Sequence, residues 1–163
     1  MKKIIIVAML LIGAYSYSQK NECKTKSSYD EFTETTQIQG LSFNTSKEKY
    51  PVQIQFLKYK YKDKQSYNIV VIGNSNGCIS RKSKVIFILG NNEKIEFLRG
   101  QTSIKCGVSH MIVDLKEEDV EKLLNNIIIK GRLDYGDNIE DFNFSEKGQK
   151  EFISNLKCII DAK

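Results

Sequence analysis

His110 is the only histidine in the 163-residue chain. General-base work near neutral pH favours imidazole, so a Ser–His–Asp or Cys–His centre would have to be built on it. Gly73-Asn74-Ser75-Asn76-Gly77 has the G-x-S-x-G spacing of a nucleophile elbow, but the stretch is read here as a turn rich in Asn and Gly. A single His beside a short strand reads as a structural or exposed residue, and no residue is assigned a catalytic role. The chain has no Walker motif and no dinucleotide fingerprint, so no cofactor is expected.

Two charged stretches carry the remaining chemical options. The acidic loop 134–141 contains Asp134, Asp137, Asn138, Glu140 and Asp141. Clustered oxygen ligands of this kind could take Ca²⁺ outside the cytosol, with Asp134, Asp137, Glu140 and Asp141 as ligands. A pair of these carboxylates could equally serve a small hydrolase. The spacing departs from the EF-hand loop and the chain has no Trp for a sugar platform, so a solvated turn without metal is the preferred reading. The second stretch is basic. Lys58, Lys60 and Lys62 would line one face of a strand, with Tyr59 and Tyr61 on the other, and Arg81, Lys82 and Lys84 lie one hairpin away. These six cations are the candidate binding residues, suited to an acidic protein, a glycan or an anionic membrane surface. The competing reading is a solvated face whose lysines block edge-to-edge pairing. Basic residues alternating with aromatics also occur in single-strand nucleic-acid platforms. Here the two kinds face opposite sides, so nucleic acid is not expected.

The four cysteines are 23, 78, 106 and 158. Zinc sites favour close ligand pairs, and the intervals of 55, 28 and 52 residues do not supply them. In an oxidising compartment an even number points to two disulfides. Strands over Lys82–Leu89 and Lys94–Arg99, turning at Gly90-Asn91-Asn92, would pair residues whose numbers sum to about 183 or 184. Cys78 and Cys106 fit that symmetry. In the last helix Phe152, Ile153, Leu156, Ile159 and Ile160 share one stripe, with Cys158 nearly opposite its centre. A cysteine there suits a strap over the helix, and the N-terminal tail with Cys23 is the natural strap. The expected pairs are Cys78–Cys106 and Cys23–Cys158.

The oxidising compartment is itself read from the leader. Met1-Lys2-Lys3 is basic, Ile4 to Ala14 is apolar or small, and Ser16-Tyr17-Ser18 supplies small residues for cleavage. This is the three-part pattern of a secretory signal. Its eleven-residue apolar run is well short of the roughly 20 needed to span a bilayer. Residues 1–18 are therefore expected to be cleaved, leaving 19–163 as a single domain with no transmembrane segment. The full chain carries 25 Lys and Arg against 20 Asp and Glu, a charge of +5, and loss of Lys2 and Lys3 lowers it to +3.

The elements that must hold these groups read as an α+β fold. Glu31 to Ile38 is a candidate first edge strand, preceded by an extended polar tail, and Gly40 to Tyr50 is a loop. Val52 to Tyr61 alternates, with a change of phase near Phe56–Leu57 that a β-bulge or a change of covered face would explain. Tyr67 to Ile72 is apolar on both faces, as in a central strand. Asn74-Ser75-Asn76-Gly77 reads as a turn. A short strand over Met111–Val113, a capped helix starting near Asp114, a strand over Ile127–Leu133 and a helix capped by Ser145 complete the order. The expected architecture is a twisted antiparallel meander with a short helix and a long C-terminal helix packed on one face, held by two disulfides.

The leader and parts of the mature chain resemble small uncharacterised secreted proteins of Bacteroidota. The matching features are Tyr29-Asp30-Glu31-Phe32-Thr33, Val113-Asp114-Leu115 before a short Leu-bearing helix, and a late Cys in the final helix. The resemblance implies a periplasmic or secreted location and carries no activity with it. The functional expectation is an exported, non-enzymatic binding protein for an unknown protein or envelope component. The alternatives are a periplasmic inhibitor or immunity-type protein, and a small hydrolase using loop 134–141.

Overall fold

Two antiparallel sheets hold the strands of the computed structural model, which describes residues 23–98 and 105–163. The expected leader at 1–18 lies outside the described residues. The first sheet runs β1 (Thr25–Asp30), β2 (Thr35–Gly40), β4 (Gln53–Tyr61), β5 (Lys64–Ile79), β8 (Lys105–Leu115), and a short β3 (Phe43–Asn44) also pairs with β4. The second runs β10 (Ile139–Asn143), β9 (Ile128–Asp134), β6 (Lys84–Leu89), β7 (Lys94–Leu98). Helix α1 (Glu117–Asn125) follows β8, and helix α2 (Glu146–Asp161) ends the described chain apart from its last two residues. The structure is thus α+β, with antiparallel sheet, two helices and two disulfides, and its strands divide between two sheets.

A single bent ribbon joins those sheets. At one end β5 pairs β8 from Tyr67↔Leu115 to Ile72↔His110, and at the other β6 pairs β7 from Lys84↔Leu98 to Ile88↔Lys94. In both stretches the partner numbers sum to 182, so the same hairpin axis governs both. Between them the register shifts, to Gly77↔Val108 and Ile79↔Lys105. Unequal residue counts on two paired strands bend and twist a ribbon, and this bend carries the chain from one sheet into the other. The disulfide Cys78–Cys106 bridges the ribbon at that point. The turn expected over Asn74–Gly77 is instead this irregular stretch inside a sixteen-residue β5.

The inner faces of the two sheets and α2 share one core. Ile54 and Phe56 of β4, Ile69 and Val71 of β5, and Met111 and Val113 of β8 face it from the first sheet. Val85, Phe87, Phe97 and Leu133 face it from the second. Phe152 of α2 is the wedge between them. Its ring lies edge-on to Phe56 at 5.0 Å, to Phe43 at 6.2 Å and to Phe87 and Phe144 at 5.8 Å. Edge-to-face contacts of this kind add to area burial. Helix α2 begins where Ser145 Oγ accepts from the Gly148 N–H at 3.1 Å. Position 148 must be glycine, because a Cβ there would run into the backbone carbonyl of Thr45.

Three local expectations are corrected. The edge strand is β1, over the segment read as an extended tail, while Glu31–Glu34 forms a turn and β2 is an inner strand. Strand β4 pairs β5 without a shift from Gln53 to Tyr61, so there is no bulge at Phe56–Leu57. Ile54 and Phe56 lie under the body of α2, and the next inward position, Lys58, lies under its C-terminus. The first turn of α1 is capped at Lys116, whose N–H donates to Asp119 at 3.1 Å, and Asp114 instead stays in β8 and accepts from Asn68. The second disulfide, Cys23–Cys158, straps the start of the described chain to the outer side of α2.

Candidate functional site

Loop 134–141 is bound to the rest of the molecule through its acids. Glu140 accepts from the backbone N–H groups of Asn74 and Ser75 at 2.9–3.0 Å, from the Ser75 hydroxyl at 2.7 Å and from the Asn74 amide at 3.1 Å. Burial raises its pKa, but these hydrogen bonds outweigh burial and hold the carboxyl below its usual range. Asp137 accepts from the Cys78 N–H at 3.0 Å, and Asp134 from Gly136 at 3.0 Å. Asp141 pairs across the strands with Arg132 at 2.5 Å and 2.7 Å. The buried Tyr135 packs between these contacts, and its hydroxyl, pushed up to about 12 by burial and by Glu140, donates to the Ser109 carbonyl. The loop therefore fastens the β9–β10 turn to the irregular stretch of β5. Glycine is required at 73 and 77, where a Cβ would collide with Glu140 and with the Tyr135 ring. Among the described residues no three His, Cys, Asp or Glu side chains form a cluster that could hold a metal ion. His110 is exposed on β8 opposite Ile72.

The six candidate cations do not share one face. Lys58 is buried, at 3% exposure, which corrects its reading as a solvated strand residue. Its Nζ donates to the carbonyls of Ile160 and Ala162, both at 2.8 Å, and lies over the Tyr67 ring. The last carbonyls of a helix lack intrahelical donors, and a cation there also meets the negative end of the helix dipole. Burial lowers the Lys58 pKa, with Lys60 adding to the effect. Lys84 is paired with Glu96 at 2.8 Å on the second sheet. Together with Lys94 it drives the Glu96 carboxyl down to about 2. Arg81 and Lys82 are exposed in the turn between β5 and β6. Lys60 and Lys62 belong to a different place, the end of the first sheet beyond α2.

At that end the sheet overhangs the helix. The rung Ser27–Ile38–Lys58–Tyr67 is the last one under α2. The next inward rung is Tyr29–Thr36–Lys60–Gln65, and two hairpin tips extend past it. The β4–β5 tip carries Tyr61 and Lys62. The β1–β2 tip carries Phe32, which is 93% exposed, beside Tyr29 at 65%. The tip is shaped from within. Asp30 Oδ1 accepts from the Phe32 N–H at 2.9 Å and the Thr33 N–H at 3.4 Å, and Thr35 Oγ donates to the Thr33 carbonyl at 3.1 Å. Such a turn built on an Asp side chain is a local alternative to the strand ladder. Hydrogen bonds from Thr33 and Phe32 hold the Asp30 carboxyl below its usual range. The tip presents an aromatic ring amid Asp30, Glu31 and Glu34, with Lys62 4.0 Å from Glu34.

The sequence does not single out this site, because a strand over Glu31–Ile38 takes in Phe32 as an ordinary strand residue. The available signal was its neighbours. Asp30 and Glu31 before it and Thr33 and Glu34 after it give no second apolar residue at strand spacing until Ile38. No helix of the described residues is long and apolar enough to cross a membrane. Compared with known proteins, the chain matches no family model, no curated protein and no solved structure at a significant level.

Proposed function

We propose that this is an exported, non-enzymatic binding domain that engages a protein or envelope component through the overhanging end of its first sheet. The observation that carries this reading is Phe32, an almost fully exposed aromatic residue on a tip that its own hydrogen bonds shape. Exposed apolar patches rimmed by polar residues mark interaction sites, and Tyr29 and Phe32 are both exposed at this end of the sheet, where aromatic side chains can contribute much of an interface's energy. Two disulfides fit an oxidising compartment, and the leader pattern and the resemblance to secreted Bacteroidota proteins support export. The charged groups that would serve a hydrolase are engaged in internal hydrogen bonds and ion pairs. A projecting tip also suits an inhibitor or immunity-type protein, with Phe32 entering a cleft of its target.

The test is retention of a partner from envelope extract on the immobilised mature chain. The expected result is a saturable partner retained by the wild type, reduced by Lys60→Glu with Lys62→Glu and lost with Phe32→Ser. Equal recovery on wild type and Phe32→Ser would refute this site.

A further inference from the structure

We infer that β1 is a self-pairing edge, through which two copies of the chain join their first sheets into one continuous antiparallel sheet. Among the described residues β1 pairs only with β2, through six consecutive partners from Thr25↔Gly40 to Asp30↔Thr35 without a shift. Five of its six residues are exposed. An edge of this kind presents a row of unpaired N–H and C=O groups. The other edges are blunted. Strand β7 carries Lys94 ion-paired to Glu96, β10 carries the carboxylates of Glu140 and Asp141, and β8 is broken by register shifts and by Gly107 at a φ of 72°. Strand β1 has no bulge, no proline and no positive-φ residue.

The sequence of β1 also complements itself. Outward N–H and C=O groups belong to alternate residues of an antiparallel strand. Two copies can therefore pair only where partner numbers sum to an even value. Sums of 54 and 56 both keep the contact within β1, and the sum of 56 is the one that sets Lys26 against Asp30. It places Ser28 on the two-fold axis against Ser28 of the second copy. Lys26 then faces Asp30 of the second copy, and the reverse, on one face of the sheet. On the other face each Tyr29 lies against Ser27 of the second copy, which covers a ring now 65% exposed. Only Oδ1 of Asp30 is used by the tip, so Oδ2 remains for Lys26. Opposite charges facing each other across strands are stabilising, and a C₂ contact must be self-complementary in this way. A single strand pair is a small interface, below the roughly 1,200 Å² of stable complexes, so the dimer is concentration-dependent.

The experiment uses the mature, disulfide-bonded chain. Sedimentation across a wide concentration range should show monomer passing to dimer, with loss of the dimer in Lys26→Glu. Oxidation of Ser28→Cys at high concentration should give a disulfide-linked dimer on a non-reducing gel, whereas Ser27→Cys, off the axis, should not. A wild type that stays monomeric throughout, a dimer indifferent to Lys26→Glu, or cross-linking through Ser27→Cys in place of Ser28→Cys would overturn the proposal.

Discussion

The β9–β10 turn and the β1–β2 tip are both acidic and both exposed in part, yet their polar groups do opposite work. At the turn, Glu140 and Asp137 spend their acceptor capacity on the backbone of another strand, so the turn is tied down. At the tip, Asp30 satisfies the turn's own N–H groups, so the tip holds its shape while leaving Phe32 almost fully exposed. The difference separates the residues that fasten this fold from those it leaves free at its surface. A charged cluster whose partners lie across the chain is a fastening. An apolar group held outward by a self-contained turn is available to a partner.

The largest expected effect that sharpens this contrast comes from the disulfide beside the fastening. Cys78→Ser with Cys106→Ser opens a loop with a sequence separation of 28 residues and should cost about 3–4 kcal/mol in chemical denaturation. Partner retention at the tip should survive wherever the protein remains folded. Next comes Lys58→Ala, which strips the donor from two helix carbonyls. Hydrogen bonds from a charged group are worth about 1.5–3 kcal/mol, and a loss of that order is expected in thermal or chemical unfolding. The burial-lowered pKa of Lys58 has its own signature. The unfolded chain binds more protons in the window below the ordinary lysine value of 10.5, so stability contributed at this site rises with pH there. Lys58→Met should flatten that rise.

Glu140→Gln is the next smaller change, at about 1 kcal/mol, and its pH dependence is the more telling measurement. The folded-state carboxyl lies below the ordinary value of 4.5. Its stabilisation is therefore full above that value and is lost as pH falls through the folded value. The wild type should lose stability over this acid window, and the variant should lose less. Glu96, at about 2, gives the β6–β7 hairpin a similar acid sensitivity that reaches lower pH. The smallest expected change in stability is that of Phe32→Ser. Surface substitutions away from special features stay within about 0.5 kcal/mol, and this one removes little buried area.

Much of the fold was legible because hydrophobic periodicity and helix capping act locally. Val52–Tyr61 alternated and formed β4, and Ser145 capped α2. The cysteine pairs followed from geometry that the fold retains, although the hairpin axis sums to 182 and the Cys78–Cys106 bridge lies between β5 and β8. What was not legible depended on distant partners. Lys58 looks like its neighbours Lys60 and Lys62 until a helix end more than 100 residues away arrives above it. Asn74–Gly77 carries turn residues, but Glu140 holds it within a strand. Phe32 falls within the candidate edge strand over Glu31–Ile38 because a turn built on the Asp30 side chain has no strong periodic signature.

The most direct measurement compares two variants by two readouts, melting temperature and partner retention on the immobilised chain. Phe32→Ser should keep the wild-type melting temperature and lose the partner, while Glu140→Gln should melt lower and keep it. A Phe32→Ser protein that retains the partner, or a Glu140→Gln protein that loses it while folded, would contradict the division between fastening and contact on which the account rests.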